Sequence, residues 1–242
     1  MAQTGVVISI FNRKDAGLSC ITSVLSDVPE GNPIVIVDDH STDGIQGYLK
    51  EFEKRCVLVM NPQNMGFSCS ANKGFRKARD LGAKNIIHLN GDVQVFPGWF
   101  ESLTRVAEEY PDAGVVGPTY ANNFDLRWRD QTRRTGAPGS ALCARVDFLL
   151  GHCLLIREDL WNKGFRWDKK ISPVGPFHLD VCLFSRAKGF KNYIATGSWA
   201  AVLDCPPGAK WILDLDPEKC FARGREYVRK KWKKKFFNVL LP

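Results

Sequence analysis

Apolar positions in the first half of the chain come in short continuous runs, not in strict alternation. Residues 5–11 (GVVISIF), 34–37 (IVIV), 57–60 (VLVM) and 86–89 (IIHL) are each β-rich and free of acidic, Lys or Arg side chains. Runs of this kind suit strands buried on both faces, as in a parallel sheet. The stretches between them read as helices, at about 15–26, 43–55, 67–81 and 98–109. Asp43 and Ser68 are placed to start helices, and Pro97 suits a first helical turn. With 114–117 (GVVG) as a fifth strand, the alternation predicts an open α/β sheet, mostly parallel.

The rhythm breaks after Pro118. Residues 121–145 are polar and contain RWRDQTRR and GAPGS, which read as a long loop or flap. Residues 146–157 (VDFLLGHCLLIR) are strand-like, 158–164 predict a short helix closed by Gly164, and 179–188 predict a helix ended by Gly189. Residues 191–204 read as strand and loop, and 216–236 as a terminal basic helix. With no repeat and no low-complexity linker, the expectation is a single domain over 1–242: a first half to 118, a second half over 119–215, and a basic tail over 216–242.

Composition changes this picture little, and charge changes it at one place. The chain has 242 residues, long enough for a full core, with ordinary hydrophobic (44%) and charged (25%) fractions. No run approaches the roughly 18 apolar residues of a membrane span. Met1 leads directly into a strand-like run without a signal peptide, so a cytoplasmic location is expected. The eight cysteines form no CxxC pair and no zinc-ligand spacing, and read as reduced, buried thiols. Of the net charge of +8, +7 lies in residues 223–235, so a basic tail is attached to a nearly neutral body.

In an open parallel sheet, ligands bind beyond the carboxyl ends of the strands. After the first strand come Asn12, Arg13 and Lys14, with no GxGxxG there and no GxxxxGK[ST] anywhere, which argues against dinucleotide-binding and P-loop proteins. The second strand ends in Asp38-Asp39-His40-Ser41-Thr42-Asp43-Gly44, which fits either a base-and-ribose pocket or a capped surface turn. The third leads into Asn61-Pro62-Gln63-Asn64-Met65-Gly66 and on to Asn72-Lys73-Gly74, where glycine permits close approach and amides can hydrogen-bond a ligand. The fourth runs into Asn90-Gly91-Asp92. A carboxylate at the end of a buried strand needs a partner, and a hard divalent cation bridging a diphosphate is one.

Taken in order, VVISIFNR, IVIVDDHSTDG, NMGFSCSANKG and HLNGDV resemble glycosyltransferase family 2, inverting enzymes of the GT-A fold. The resemblance is clear over residues 5–118 and weaker to about 205. It implies a Rossmann-like, mostly parallel central sheet flanked by helices, with a smaller acceptor-side half and a basic C-terminal helix. It also implies a hexosyl- or pentosyltransferase moving sugar from a nucleotide diphosphate sugar, UDP-sugar first, to an acceptor hydroxyl. Residue by residue, it assigns Asp39 to the nucleotide base, Asn12, Arg13, Asp38 and Ser41 to the same pocket, and Asn64, Gly66 and Asn72 to a second nucleotide-side loop. Asn90, Gly91 and Asp92 take the D-x-D positions, with Asp92 and Asn90 as ligands of Mn²⁺ or Mg²⁺. The first of these is Asn where Asp is usual. The family's later histidine ligand is missing, and Asp204 is the candidate substitute.

The second half departs further. His152 in FLLGHCLLIR is placed on the acceptor side. The family's E-D-x-D-L appears as Phe177-His178-Leu179-Asp180-Val181, so the general base is Asp180 or His178, with Asp180 preferred. The acceptor is expected to be a glycan or lipid-linked glycan. A hydroxymethylated DNA base, as for phage enzymes, is the alternative, and an inactive binding module is a third reading. Arg127, Trp128 and Arg129 are candidate acceptor contacts, and the tail RGREYVRKKWKKKFF is a candidate membrane-surface or nucleic-acid element.

Overall fold

The computed structural model describes residues 3–121, 142–171, 175–203, 217–233 and 235–236. One nine-stranded sheet runs through it in the order β3-β2-β1-β4-β8-β6-β9-β5, with β7 pairing to β9. The strands are β1 (Thr4–Ile10), β2 (Ile34–Asp38), β3 (Cys56–Met60), β4 (Asn85–Asn90), β5 (Val93–Val95), β6 (Ala113–Tyr120), β7 (Cys143–Val146), β8 (Cys153–Ile156) and β9 (Lys191–Val202). The helices are α1 (Lys14–Leu25), α2 (Ile45–Leu49), α3 (Phe67–Asp80), α4 (Trp99–Glu109), α5 (Glu158–Asn162), α6 (Phe177–Ala187) and α7 (Pro217–Trp232). The fold is GT-A: β1 to β4 are mutually parallel, and the later strands mix parallel and antiparallel pairs.

The continuous apolar runs follow from helices on both faces. Val6, Ile8 and Ile10 of β1 pack with Cys20, Ile21 and Val24 of α1, while Val7, Val35 and Val37 pack with Ala71, Phe75 and Ala78 of α3. Each buried Val, Ile or Phe among them contributes about 1.5–3 kcal/mol on burial. Gly74 sets how closely α3 approaches the sheet, since a methyl there would stand 2.3 Å from Val7 Cγ1. The seven described cysteines are free thiols.

Three expectations need correction. The helix predicted over 43–55 is only α2 and a 3₁₀ turn over Lys50–Phe52, because Arg55 donates to the carbonyls of Val28, Pro29 and Asn32 and draws the chain back to the start of β3. Of the run 146–157 only Cys153–Ile156 is a full strand, β8; β7 ends at Val146 and lies mostly in the stretch expected to be loop, and 147–152 are irregular with a turn at Gly151-His152. Helix α3 starts at Phe67 after Gly66, and Ser68 donates to the carbonyl of Asp168 instead of capping. Strand β5, which pairs with β9, was not foreseen.

Candidate active site

The carboxyl ends of β1, β2 and β4 open on one edge of the sheet, and β8 starts there because it runs antiparallel to β4. Asn12 and Arg13, which follow β1, both have left-handed backbones, φ 55° and 60°. That geometry costs a non-glycine residue about 1–2 kcal/mol and persists because neighbours fix it. Asn12 N–H donates to Ser41 Oγ at 2.8 Å, and Asn12 Oδ1 accepts from Thr42 N–H at 2.8 Å. Asp38 is wholly buried and accepts from the backbone N–H and hydroxyl of Ser41 and from Gln46 Nε2. Asn12, Asp38 and Ser41 therefore join the β1 and β2 loops to each other. What they aim is Arg13, whose Nη1 meets Asp92 Oδ2 at 2.8 Å and whose Nη2 donates to the Leu203 carbonyl at 3.0 Å.

Asp39 joins the β2 end to the β3–α3 loop. Its Oδ1 accepts from Asn61 Nδ2 at 2.7 Å and Met65 N–H at 2.8 Å, and its Oδ2 accepts from Gly66 N–H at 2.8 Å. The carboxylate thus sits at the amino end of α3, where the helix dipole favours negative charge. With one N–H on it, Oδ2 retains acceptor capacity. Gly66 has φ 77° and ψ 164°, a conformation reserved almost entirely for glycine. Asn64 lies half-buried in the same loop. Sequence reasoning missed Asn61 and Lys73 as braces: Lys73 Nζ donates to Asn61 Oδ1 at 2.6 Å. Asn72 is occupied elsewhere. Its amide donates to the Trp167 carbonyl at 2.8 Å and accepts from Trp167 N–H at 3.0 Å, which fastens α3 to the segment before α6.

At the end of β4 the chain turns tightly. Gly91 N–H donates to the Ser9 carbonyl at 2.8 Å, and a methyl on Gly91 would stand 3.1 Å from that oxygen. Asn90 N–H donates to the His152 carbonyl at 2.9 Å, and Asn90 Nδ2 lies 3.3 Å from His152 Nδ1. Asn90 Oδ1 and Asp92 Oδ1 are both buried with no hydrogen-bond partner among the described residues. No group of three His, Cys, Asp or Glu side chains placed to hold a metal occurs among those residues.

Helix α6 separates the two candidate bases. Residues two apart on a helix point about 200° apart. His178 packs on Gly151, where an added methyl would stand 2.9 Å from its Cβ and 3.3 Å from its Nδ1. Burial, then the neighbouring His152, lowers the His178 pKa to about 3, so its imidazole is neutral. His152 is also pushed down by burial, with Asp92 opposing. Asp180 faces the other way. It is 3% exposed and accepts from Lys231 Nζ and Trp232 Nε1 of α7. Burial raises the Asp180 carboxyl, with Lys231 and Trp232 opposing. Arg127, Trp128, Arg129 and Asp204 lie outside the described residues.

The sequence profile of Glycosyl transferase family 2 matches residues 5–169. The chain belongs to that family. Glycosyltransferase GlyA of Streptococcus pneumoniae is 24% identical over 120 residues, covering 49% of this chain and 17% of its own length. The glucosyl-dolichyl phosphate glucuronosyltransferase of Haloferax volcanii is 28% identical over 130 residues, covering 52% of this chain and 40% of its own. The chain thus spans well under half the length of these curated relatives. Among solved structures, GalNAc-T7 with UDP, GalNAc and Mn²⁺ superposes with a TM-score of 0.76 at 13% identity, over 98% of this chain and 49% of that one. The mannosyltransferase PcManGT of Pyrobaculum calidifontis with GDP-Man and Mn²⁺ gives 0.72 at 12% identity, over 99% and 66%. No described helix of this family 2 chain is long and apolar enough to cross a membrane.

Proposed function

We propose that the chain is an inverting glycosyltransferase that moves a sugar from a nucleotide diphosphate donor to an acceptor hydroxyl. One observation carries the reading: two buried oxygens without partners, Asn90 Oδ1 and Asp92 Oδ1, stand at the sheet edge with the Arg13 guanidinium beside them. Hard oxygen donors of this kind fit a divalent cation such as Mn²⁺ or Mg²⁺. Asn90 and Asp92 would hold it, and its chemistry would be to neutralise charge on the diphosphate.

The chain's own residues do the rest. Asp39, with acceptor capacity on Oδ2 beside Asn64 and Gly66, suits the nucleotide base. Neutral His178 accepts the acceptor proton as the hydroxyl oxygen attacks the anomeric carbon from the face opposite the diphosphate. The bond from that carbon to the phosphate oxygen breaks, its electron pair leaves with the phosphate, and Arg13 meets the charge. A bound diphosphate favours imidazolium nearby, as Asp92 already does at His152.

UDP-sugars are the first donors to test, since UDP is the nucleotide in the GalNAc-T7 structure. A lipid-linked glycan is the favoured acceptor class, in keeping with the glucosyl-dolichyl phosphate named for the Haloferax relative. The test is a thermal-shift panel of UDP, dTDP, GDP, CDP and CMP, each with and without Mn²⁺. A nucleotide that binds the folded state raises its melting temperature. A metal-enhanced shift with one diphosphate supports the reading, and no shift with any of them refutes it.

A further inference from the structure

We propose that Lys231 and Trp232 of α7 are positioning residues for His178, acting through Asp180, and that the basic C-terminal helix is thereby a working part of the transfer site. The proposal rests on His178 being the proton acceptor. His178 and Asp180 share the first turn of α6, and that turn has no side-chain cap at Pro176. Its orientation is fixed from outside. Lys231 Nζ lies 2.9 Å from Asp180 Oδ1 and 3.0 Å from Oδ2, and Trp232 Nε1 donates to Oδ1 at 2.7 Å.

The same lysine reaches the donor half. Lys231 Nζ lies 2.8 Å from Asp168 Oδ2, which also accepts from Tyr227 O–H at 2.9 Å. The Asp168 carbonyl accepts from Ser68 Oγ of α3, and the preceding Trp167 is clamped by Asn72 of α3. One ammonium therefore bridges two carboxylates, one fastened to the helix behind the nucleotide-side loop and one on the helix carrying His178. Helix α7 also meets the start of α6 closely: a methyl on Gly224 would stand 2.8 Å from Pro176 Cδ, and Val228 is fully buried.

This contact fixes the rotation of α6 about its axis. On one side His178 presses on Gly151, and on the other Asp180 is held by α7. Removing the Lys231 charge leaves a buried carboxylate without its cation. The first turn then rotates toward water or toward new partners and carries His178 with it. The nucleotide-side contacts of Asp39 and Asp92 lie on other elements and stay in place.

The test compares Lys231→Met, Lys231→Arg, Trp232→Phe and His178→Ala in the full chain. Ring resonances of the four histidines are recorded by NMR without metal. UDP affinity is measured by calorimetry with Mn²⁺. UDP release from UDP-glucose, UDP-galactose, UDP-N-acetylglucosamine and UDP-N-acetylgalactosamine is read with water as acceptor. In Lys231→Met the His178 signals move, the Kd for UDP stays within about twofold, and UDP release falls roughly 10- to 100-fold, the scale of a misplaced catalytic group. Lys231→Arg restores both signals and rate. His178 resonances or UDP release unchanged in Lys231→Met overturn the proposal. If that variant does not fold, Trp232→Phe, which keeps the ring against Phe184 and removes one hydrogen bond, decides by the same readouts. An active His178→Ala sinks the base assignment and the proposal with it, whereas an inactive His178→Ala beside an active Lys231→Met sinks the proposal alone.

Discussion

Asn72→Ala separates two roles for one side chain. The motif places Asn72 at the nucleotide, while the structure closes its amide in a reciprocal pair with the backbone of Trp167. The residue is 8% exposed, so water replaces little of what is lost. Alanine leaves a buried N–H and a buried C=O unpaired, each at about 1–3 kcal/mol, for a total of about 2–6 kcal/mol. In a chain of this size 1 kcal/mol is about 2–4 °C in Tm, so a loss of roughly 4–24 °C is expected. Asn72→Asp loses at least as much, because its carboxylate still accepts from Trp167 N–H but faces the Trp167 carbonyl. The assay is urea unfolding beside calorimetry with UDP and Mn²⁺. Stability within about 0.5 kcal/mol of wild type, the range of an ordinary surface change, with UDP affinity sharply reduced, would refute the reasoning and return Asn72 to the nucleotide.

Three further outcomes are expected. Gly74→Ala drives a methyl to 2.3 Å from Val7 Cγ1 and 3.0 Å from Val37 Cγ2, and overpacking of this kind costs about 1–3 kcal/mol, visible as a lower urea midpoint. Asp92→Ala abolishes the metal-enhanced part of the UDP thermal shift while lowering stability by less than about 1 kcal/mol, since its ion pair with Arg13 is partly exposed; a metal response that survives would remove Asp92 from the cation site. Acid destabilises the fold through His88 and His178, each held neutral by burial with its pKa lowered from 6.5 to about 3. Above the unfolded value neither state takes up these protons and stability is full; below it only the unfolded chain does, so stability falls by about 1.4 kcal/mol per pH unit for each histidine. Urea midpoints at pH 7, 6 and 5 measure the slope, and a slope unchanged in His88→Gln would show that burial does not hold His88 neutral.

The layered sheet was readable because a strand covered on both faces leaves a mark in the sequence that needs no knowledge of its neighbours. Val6, Val7, Ile8 and Ile10 are all apolar because α1 and α3 lie on opposite sides of β1. Elements set by distant contacts left no such mark. Arg55 shortens the helix after β2 through carbonyls 23 to 27 residues away. The α7 partners of Asp180 lie 51 and 52 residues downstream, so the motif around His178 and Asp180 gives no sign of them.

The site was half readable for a related reason. Polar residues at strand ends announce an edge where chemistry can occur, but a hydrogen-bonding group has a fixed capacity, and the sequence does not show where that capacity goes. Asn12, Asp38, Ser41 and Asn72 direct theirs largely to holding loops and helices together. Asp39 keeps part of its capacity, and Asn90 and Asp92 each keep one buried oxygen with no partner among the described residues. On the proposed function, the residues that match the motif divide into scaffold and ligand-facing groups by the acceptor capacity left over after folding. On that criterion Asn90 is a stronger member of the site than its departure from aspartate implies. Its amide oxygen is buried at the end of β4, and desolvating it there without a hydrogen bond costs about 1–3 kcal/mol, which a bound cation would offset.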